Sequence, residues 1–584
     1  MLRLLAFVCA LAACATPPRP PIARGDFDAV GAWIDERVSR EREARDADAV
    51  AVVVVGPDRV LYEKIWSTIG AVTLDSRFRV GSISKLLSSL TTLAVRDEGK
   101  LGLDDPITSV IPYFKMQSRF DDVVITPRQL MGHKSGLPNT MLRGMYGDVL
   151  TPIAEQTRQV SSVWAARPPG TTFLYSDLGF TVLGTVVEAA AGQPFADVVA
   201  SRLFGPLGMT QSSFVPTKEI IPAVINGAVY VENPPITLPA NGAVSSPRDL
   251  GRLAQLLLRA NANSSVALER IAAEALAPGT PASLDVDFRT GFGINENAAW
   301  ARDIGPIHWH SGQTPAFTAE LIVSPKAGVA VVVMTNTHEA GFLPSITGWE
   351  IMATAIEAAT GKRVQHPVDV EAAADPIFTT AELDAFAGMY PTEYGAISVQ
   401  REGSRLVGRA FEEVLDLQPT TKRTFLPSIL AFGALRVHPD LLRGIELSFG
   451  DVDDPVTGKR QGLFSTQRGL KILRGVKIEP KPLSSSWTAR AGHWKNPAQA
   501  NDQLTIEGAD VVVEGGFLML KVSVSRTPRP LVIPLDPLDD ATALTAGIGR
   551  FLGETVTVTR DGALPDQREH IVILGYPLER EAAH

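Results

Sequence analysis

Phe78-Arg79-Val80-Gly81-Ser82-Ile83-Ser84-Lys85-Leu86-Leu87 is the stretch whose reading decides the fold. Ile83, Leu86, Leu87, Leu90 and Ala94 recur at helical spacing, which predicts a buried amphipathic helix from about Ser82 to Glu98. Residues at i and i+3 share one helix face, so Ser82 and Lys85 point the same way. Ser82 falls in the first turn, where unsatisfied backbone N–H groups and the helix dipole favour negative charge. A hydroxyl and an amine so placed suit a nucleophile and its partner. Taken alone, Ser-x-x-Lys also fits a helix-capping serine followed by a surface lysine.

Around this helix the chain reads as α/β. A charge-rich helical pattern runs from Asp26 to about Arg45 (Val30, Trp33, Ile34, Val38). Val50 to Val55 is a continuous β-branched run, and Arg59 to Trp66 alternates behind the turn Gly56-Pro57-Asp58, which predicts a hairpin. A loop-rich middle spans Gly99 to Gly170. Helical patterns follow at Phe180 to Ala191 and Asp249 to Leu258. Strand patterns return at Ile307 to His310, Ala319 to Ser324 and Val329 to Thr335, and a helix from about Leu343 to Thr360 ends at Gly361. Strands at both ends of the region with helices between them, and strong hairpin signals, predict an antiparallel sheet flanked by helices.

At 584 residues the chain is too long for one core. Residues 362–376 read as a linker, and short β-type runs dominate beyond it. Phe386-Ala387-Gly388-Met389-Tyr390 and Arg490-Ala491-Gly492-His493-Trp494 echo each other, each opening a β-rich stretch. A true repeat predicts two related antiparallel barrels or sandwiches, and a chance match in so short a window is the other reading. The expected division is 1–24 signal and tether, 25–361 catalytic domain, 362–376 linker, 377–482 β-rich domain and 483–584 second β-rich domain.

The N-terminus carries Arg3 and an apolar run from Leu4 to Ala13, too short for a permanent membrane helix. Leu11-Ala12-Ala13-Cys14 followed by Ala15, Thr16 and a proline-rich stretch resembles a bacterial lipoprotein signal. That resemblance implies lipid attachment to Cys14, with an ordinary secretory signal as the alternative. The expected location is therefore the bacterial cell envelope, periplasmic and lipid-anchored, or else periplasmic or secreted and soluble. Cys9 and Cys14 are the only cysteines, so the mature chain offers no intramolecular disulfide, cysteine nucleophile or cysteine-ligated metal. The net charge of −9 argues against a nucleic-acid partner. Nine histidines form no H-E-x-x-H or comparable spacing, and no glycine-rich phosphate loop is present, so no metal or cofactor is expected.

Two further motifs accompany Ser82 and Lys85. Tyr175-Ser176-Asp177 follows Pro168-Pro169-Gly170, and His310-Ser311-Gly312 ends a strand pattern. With them the sequence resembles the serine β-lactamase and penicillin-binding-protein superfamily, in its class C-like branch of D-aminopeptidases and esterases, where Ser-x-x-Lys, Tyr-x-Asn and Lys-Thr-Gly or His-x-Gly come in that order. Ile125-Thr126, Ser135-Gly136-Leu137-Pro138, Pro206-Leu207-Gly208-Met209, Ser246-Pro247-Arg248-Asp249-Leu250 and Val333-Met334-Thr335-Asn336 are further landmarks, and the resemblance spans roughly Asp46 to Thr360.

The resemblance implies a serine hydrolase working through an acyl-enzyme. Ser82 is the expected nucleophile, and Lys85 and Tyr175 are joint candidates for its base. His310 completes the catalytic set. The backbone N–H groups of Ser82 and Gln313 are the implied oxyanion donors, with Gly312 beside them. Two positions depart from the commonest pattern. Asp177 stands where Asn is usual; an ionised aspartate only accepts hydrogen bonds, and its charge would hold Lys85 cationic. It is expected either to pair with Lys85 or to meet an ammonium group of the substrate. His310 stands where β-lactamases carry Lys; mostly neutral at pH 7, it anchors a carboxylate less well but can hydrogen-bond the Tyr175 hydroxyl. Both departures favour D-amino-acid amides, peptides or small esters as substrates. A β-lactamase or DD-peptidase, and a non-catalytic penicillin-binding-like module, are the alternatives. The C-terminal region is expected to cover or gate the site, and a lipid anchor is the one membrane contact expected.

Overall fold

The computed structural model describes residues 21–581 except 122, 365–372, 374–376, 411–412, 432–434, 438–441, 443, 498–501, 526, 528 and 561–568. The signal with Cys14 and most of the expected linker lie outside these residues. Among the described residues no helix is long and apolar enough to cross a membrane.

The chain is a mixed α/β protein with a β-rich C-terminal region. Its first sheet has seven strands: β1 (Val50–Val55), β2 (Val60–Trp66), β3 (Arg289–Thr290), β4 (Asn295–Asn297), β5 (Ile307–Gln313), β6 (Thr318–Ser324) and β7 (Val329–Thr335). They lie in the order β2-β1-β7-β6-β5-β4-β3, each pairing antiparallel. The β-branched run at β1 is explained by cover on both faces. Ala51, Val53 and Val55 join one core, while Val50, Val52 and Val54 join the other. A strand with no wet face needs no polar alternation.

The second core is closed by α1 (Phe27–Ala44) and α5 (Leu343–Thr360). Asp26 caps α1 by accepting from the Ala29 N–H at 2.9 Å, and Val30, Ile34 and Val38 form its buried stripe. The first core holds α2 (Ile83–Asp97), α3 (Asp177–Ala191) and α4 (Pro247–Leu258). Helix α2 is buried nearly all round rather than on one stripe. Leu86, Leu87, Leu90 and Leu93 are fully buried, each contributing about 2 kcal/mol. Most of its buried hydroxyls are paired, Ser89 Oγ being the exception. Ser88 donates to Pro239 O at 2.6 Å, and Thr91 and Thr92 donate to the carbonyls one turn back.

Beyond this domain lie two β structures. Strands between Gly388 and Val476 form a nine-stranded antiparallel sheet that stays open, its first and last strands joined only by an isolated bridge, Met389 to Ile478. Strands from Gly492 to Arg580 form a closed eight-stranded barrel, sealed where Trp494 and Lys495 pair with Arg580 and Glu579. Of the two barrels or sandwiches expected, one is a closed barrel and the other a large antiparallel sheet. The two echoing pentapeptides do share a device. Each leaves a short helix and enters a strand, and its aromatic residue donates to the carbonyl four positions back: Tyr390 to Phe386 O at 2.8 Å, Trp494 to Arg490 O at 2.9 Å.

The barrel docks on the α/β domain through the segment 139–146. Leu142, Met145 and Tyr146 pack into the barrel core, and Asp502 accepts from the Gly144 and Tyr146 N–H groups at 2.6 and 3.1 Å. Glu554 accepts from the Asn139 and Thr140 N–H groups at 2.8 and 3.2 Å.

Candidate active site

Helix α2 begins at the turn Val80-Gly81-Ser82. Ser82 occupies the N-cap position, but its hydroxyl makes no cap bond, and the Lys85 side chain is fully buried. Neither the capping serine nor the surface lysine describes this pair. Lys85 Nζ donates to Ser82 Oγ at 3.1 Å and to Ala240 O at 3.0 Å. Asp177 Oδ1 lies 2.7 Å from the same ammonium. Tyr175 Oη donates to Ser82 Oγ at 2.7 Å, and Lys85 Nζ sits 4.6 Å from the centre of the Tyr175 ring. Of the two partners open to Asp177 in the sequence, the resting protein thus holds Lys85.

Tyr175 is placed by the start of α3. Ser176 caps that helix, accepting from the Gly179 N–H at 2.8 Å, and donates to Pro138 O at 2.6 Å. The Ser176 N–H donates to His133 Nδ1 at 3.0 Å, and the His133 ring stacks on Tyr175 with centres 4.5 Å apart. Burial, then the Lys85 charge, push His133 well below the usual histidine range, so a neutral ring accepts at Nδ1.

Strand β5 closes the other side. A Cβ on Gly312 would fall 1.8 Å from Val80 O and 3.2 Å from the Ser82 nitrogen, and one on Gly81 would fall 2.4 Å from the Gln313 nitrogen. Glycine at both positions lets β5 approach the turn backbone to backbone, and Gly81 also needs its φ of +49°. This close approach brings the Gln313 amide against the turn that carries the Ser82 amide. This is the arrangement two donors to a developing oxyanion require.

His310 is 5% exposed, and burial, then the Lys85 charge, push it down to about 4, so it is neutral at pH 7. The expected bond to Tyr175 is not formed. Its Nδ1 is taken by the adjacent Ser311 carbonyl at 2.7 Å, and the two ring centres stand 6.5 Å apart. The Tyr175 hydroxyl donates to Ser82 Oγ instead.

Five participants had no motif to announce them. Ala240 O holds Lys85, and His133 backs Tyr175. Arg79 and Glu232 form a buried ion pair beneath the turn, at 3.1 Å. Arg550, from the C-terminal barrel, places its guanidinium carbon 5.8 Å from the centre of the Tyr175 ring. His133 sits just ahead of the Ser135-Gly136-Leu137-Pro138 landmark, and that position was its one signal. Among the described residues, no group of three His, Cys, Asp or Glu is placed to hold a metal ion.

The family model for Beta-lactamase matches residues 34–354, more than half of the chain. The chain belongs to the β-lactamase family. A 155-residue stretch is 33% identical to Esterase EstB of Burkholderia gladioli, covering 24% of this chain and 39% of that protein. Another, of 191 residues, is 27% identical to the D-alanyl-D-alanine-carboxypeptidase/endopeptidase AmpH of Escherichia coli, covering 32% and 50%. The chain spans about half or less of the length of these curated relatives. The solved structure of SurE superposes with a TM-score of 0.54 at 21% identity, over 77% of this chain and 98% of that one, a likeness of fold. Relatives named as an esterase and a carboxypeptidase place this family among the serine hydrolases.

Proposed function

We propose that the protein is an exported serine hydrolase that forms an acyl-enzyme on Ser82. One observation carries the reading: Ser82 Oγ is 2.7 Å from Tyr175 Oη and 3.1 Å from Lys85 Nζ, beside the Ser82 and Gln313 amides. Serine needs a base before it attacks a carbonyl. With Lys85 paired to Asp177, Tyr175 serves as the base: it first gives up to water the proton it donates to Ser82 Oγ, and then takes the Ser82 proton across the same 2.7 Å. The new Ser82 Oγ–carbon bond makes a tetrahedral oxyanion that the two amides stabilise. Collapse breaks the bond to the leaving alcohol or amine, which takes its proton from Tyr175. Water then attacks acyl-Ser82 with the same groups reversed. Substrates are D-amino-acid amides or peptides, or small esters.

Support for export comes from the sequence: the short apolar run and Cys14 suit a lipoprotein signal, which would tether the enzyme in the periplasm. Replacing Cys14 by Ser should release it from the membrane fraction, and a variant that stays bound rejects the lipid anchor.

The deciding experiment is a hydrolysis panel: a p-nitrophenyl ester, a D-alanine anilide and nitrocefin, each with wild type and Ser82→Ala. Turnover of the ester or anilide that vanishes in Ser82→Ala is the expected result. Activity surviving in the variant sinks the serine mechanism, rapid nitrocefin turnover makes the protein a β-lactamase, and a covalent adduct that never turns over makes it a binding module.

A further inference from the structure

The site has a cation that its motifs do not supply. Neutral His310 leaves the position opposite Tyr175 without charge, and Lys85 is spent on Asp177. Arg550 stands over the Tyr175 ring, half-buried, on the loop that links two strands of the C-terminal barrel. Among the described residues it makes no hydrogen bond or ion pair, and its Nε is shut off from water without an acceptor. The carboxylates that act on it are Asp177 and Glu393. A guanidinium carries five donors in a planar fork shaped for a carboxylate. Leaving the buried Nε–H of such a fork unpaired is costly, so it marks a place where an anion could bind.

The loop is held as if its position matters. Glu554 fastens it to the Asn139 and Thr140 amides, and Gly553 passes so close to Ala166 that a Cβ there would fall 2.3 Å from the Ala166 Cβ.

We infer that Arg550 is the anchor for a carboxylate on the substrate, supplied by the barrel in place of the lysine that the catalytic domain lacks at position 310. The preferred substrate is then a peptide of D-amino acids with a free C-terminal carboxylate next to the scissile bond. This deepens the hydrolase reading and rests on it. Arg550 has one rival role, holding Tyr175 as a phenolate by its charge alone, and that role would be blind to the substrate's carboxylate.

The two are separated with an N-acylated D-alanyl-D-alanine peptide, as the free acid and as its C-terminal carboxamide, assayed on the full-length protein. Wild type is expected to favour the acid in kcat/KM by at least about tenfold, the size of one charge-assisted bond. Arg550→Ala should erase that preference, chiefly through KM, and Arg550→Lys should restore part of it. An acid–amide preference unchanged in Arg550→Ala, or equal losses on both substrates, overturns the proposal. Binding of the two peptides is also measured in a Ser82→Ala background, with and without Arg550→Ala, so the answer does not depend on turnover. The acid must bind more tightly than the amide only while Arg550 is present; equal binding of both rejects the anchor. Hydrolysis that persists in Ser82→Ala would reject the serine mechanism instead, with the acid–amide contrast still readable.

Discussion

Lys85 and Asp177 form an ion pair out of reach of solvent, Nζ to Oδ1 2.7 Å, with side-chain exposures of 0% and 1%. Two charges taken out of water are tolerable only together, and deleting one strands the other. Asp177→Asn should therefore lower folding stability by about 3 kcal/mol, and Lys85→Met by a similar amount. Joined in one chain, the two substitutions should cost less than their sum. Urea midpoints of the four proteins give the coupling, and strict additivity would mean that the pair contributes nothing. The same cycle in ester hydrolysis bears on the base. If Tyr175 takes the proton while Lys85 supplies charge, both single variants should lose at least about tenfold in kcat.

Gly312 and Gly81 set the distance between the two amides. A methyl group at Gly312 would collide with a main-chain oxygen, which cannot swing aside as a side chain would. Gly312→Ala should push β5 off the turn and widen the space between the Ser82 and Gln313 N–H groups. Loss of one oxyanion donor typically costs about a hundredfold or more in kcat. The expected outcome is a drop of that order on a p-nitrophenyl ester with KM changed far less. Wild-type kcat in a folded Gly312→Ala protein would show that these amides do not hold the oxyanion.

What could be read from the chain follows the range of the interaction. The periodicity of Ile83 to Ala94 and the run Val50 to Val55 are local patterns, and the helix and strand stand where these put them. Ser82, Lys85 and Tyr175 were legible because each sits in a short motif tied to an element boundary. Asp177 was legible as a charge, and its proximity to Lys85 follows from that charge. The bond expected between His310 and Tyr175 is not formed because the Tyr175 hydroxyl is turned to Ser82 Oγ, a choice of partner that no side-chain pattern reveals. Arg550 was invisible because a lone arginine in a glycine-rich loop gains meaning only from the docking of one domain on another. A barrel was among the expectations for the C-terminal region, but which of its two stretches closes was out of reach. Closure depends on Trp494 meeting Arg580, a pairing between the first and last strands that local alternation does not encode.

Glu554 makes the docking of the barrel sensitive to pH. Burial, opposed by the Thr140 and Asn139 amides, pushes its carboxyl from 4.5 up to about 8. A carboxyl raised on folding binds its proton more tightly in the native state. Its contribution to stability is then full below about 4.5 and is lost as pH rises through about 8. Glu554→Gln stays neutral and keeps an oxygen for the two N–H groups. Melting temperatures of wild type should fall relative to the Gln variant between pH 5 and 8, measured by thermal scanning in one buffer series. Parallel curves for the two proteins would mean that Glu554 does not titrate in this range.

Arg79 and Glu232 tie the two halves of the oxyanion site together from below. Arg79 lies three residues before Ser82 and donates to Thr217 O and Glu232 O at 3.0 and 2.9 Å. Glu232 Oε2 accepts from Thr314 Oγ1 and the Ala316 N–H, both at 2.9 Å, just past Gln313. The pair is 1% and 0% exposed and touches no space that a substrate could enter, so it acts through position. Glu232→Gln preserves shape but removes the charge that draws Arg79 and the 314–316 segment together. Misplacing a catalytic group by about 1 Å can cost up to a hundredfold in rate. The expected signature is a kcat lowered by about tenfold or more with KM nearly constant, alongside a lower melting temperature. A Glu232→Gln protein that melts earlier yet turns over at the wild-type rate would confine the pair to stability and leave the amides of Ser82 and Gln313 positioned by β5 alone.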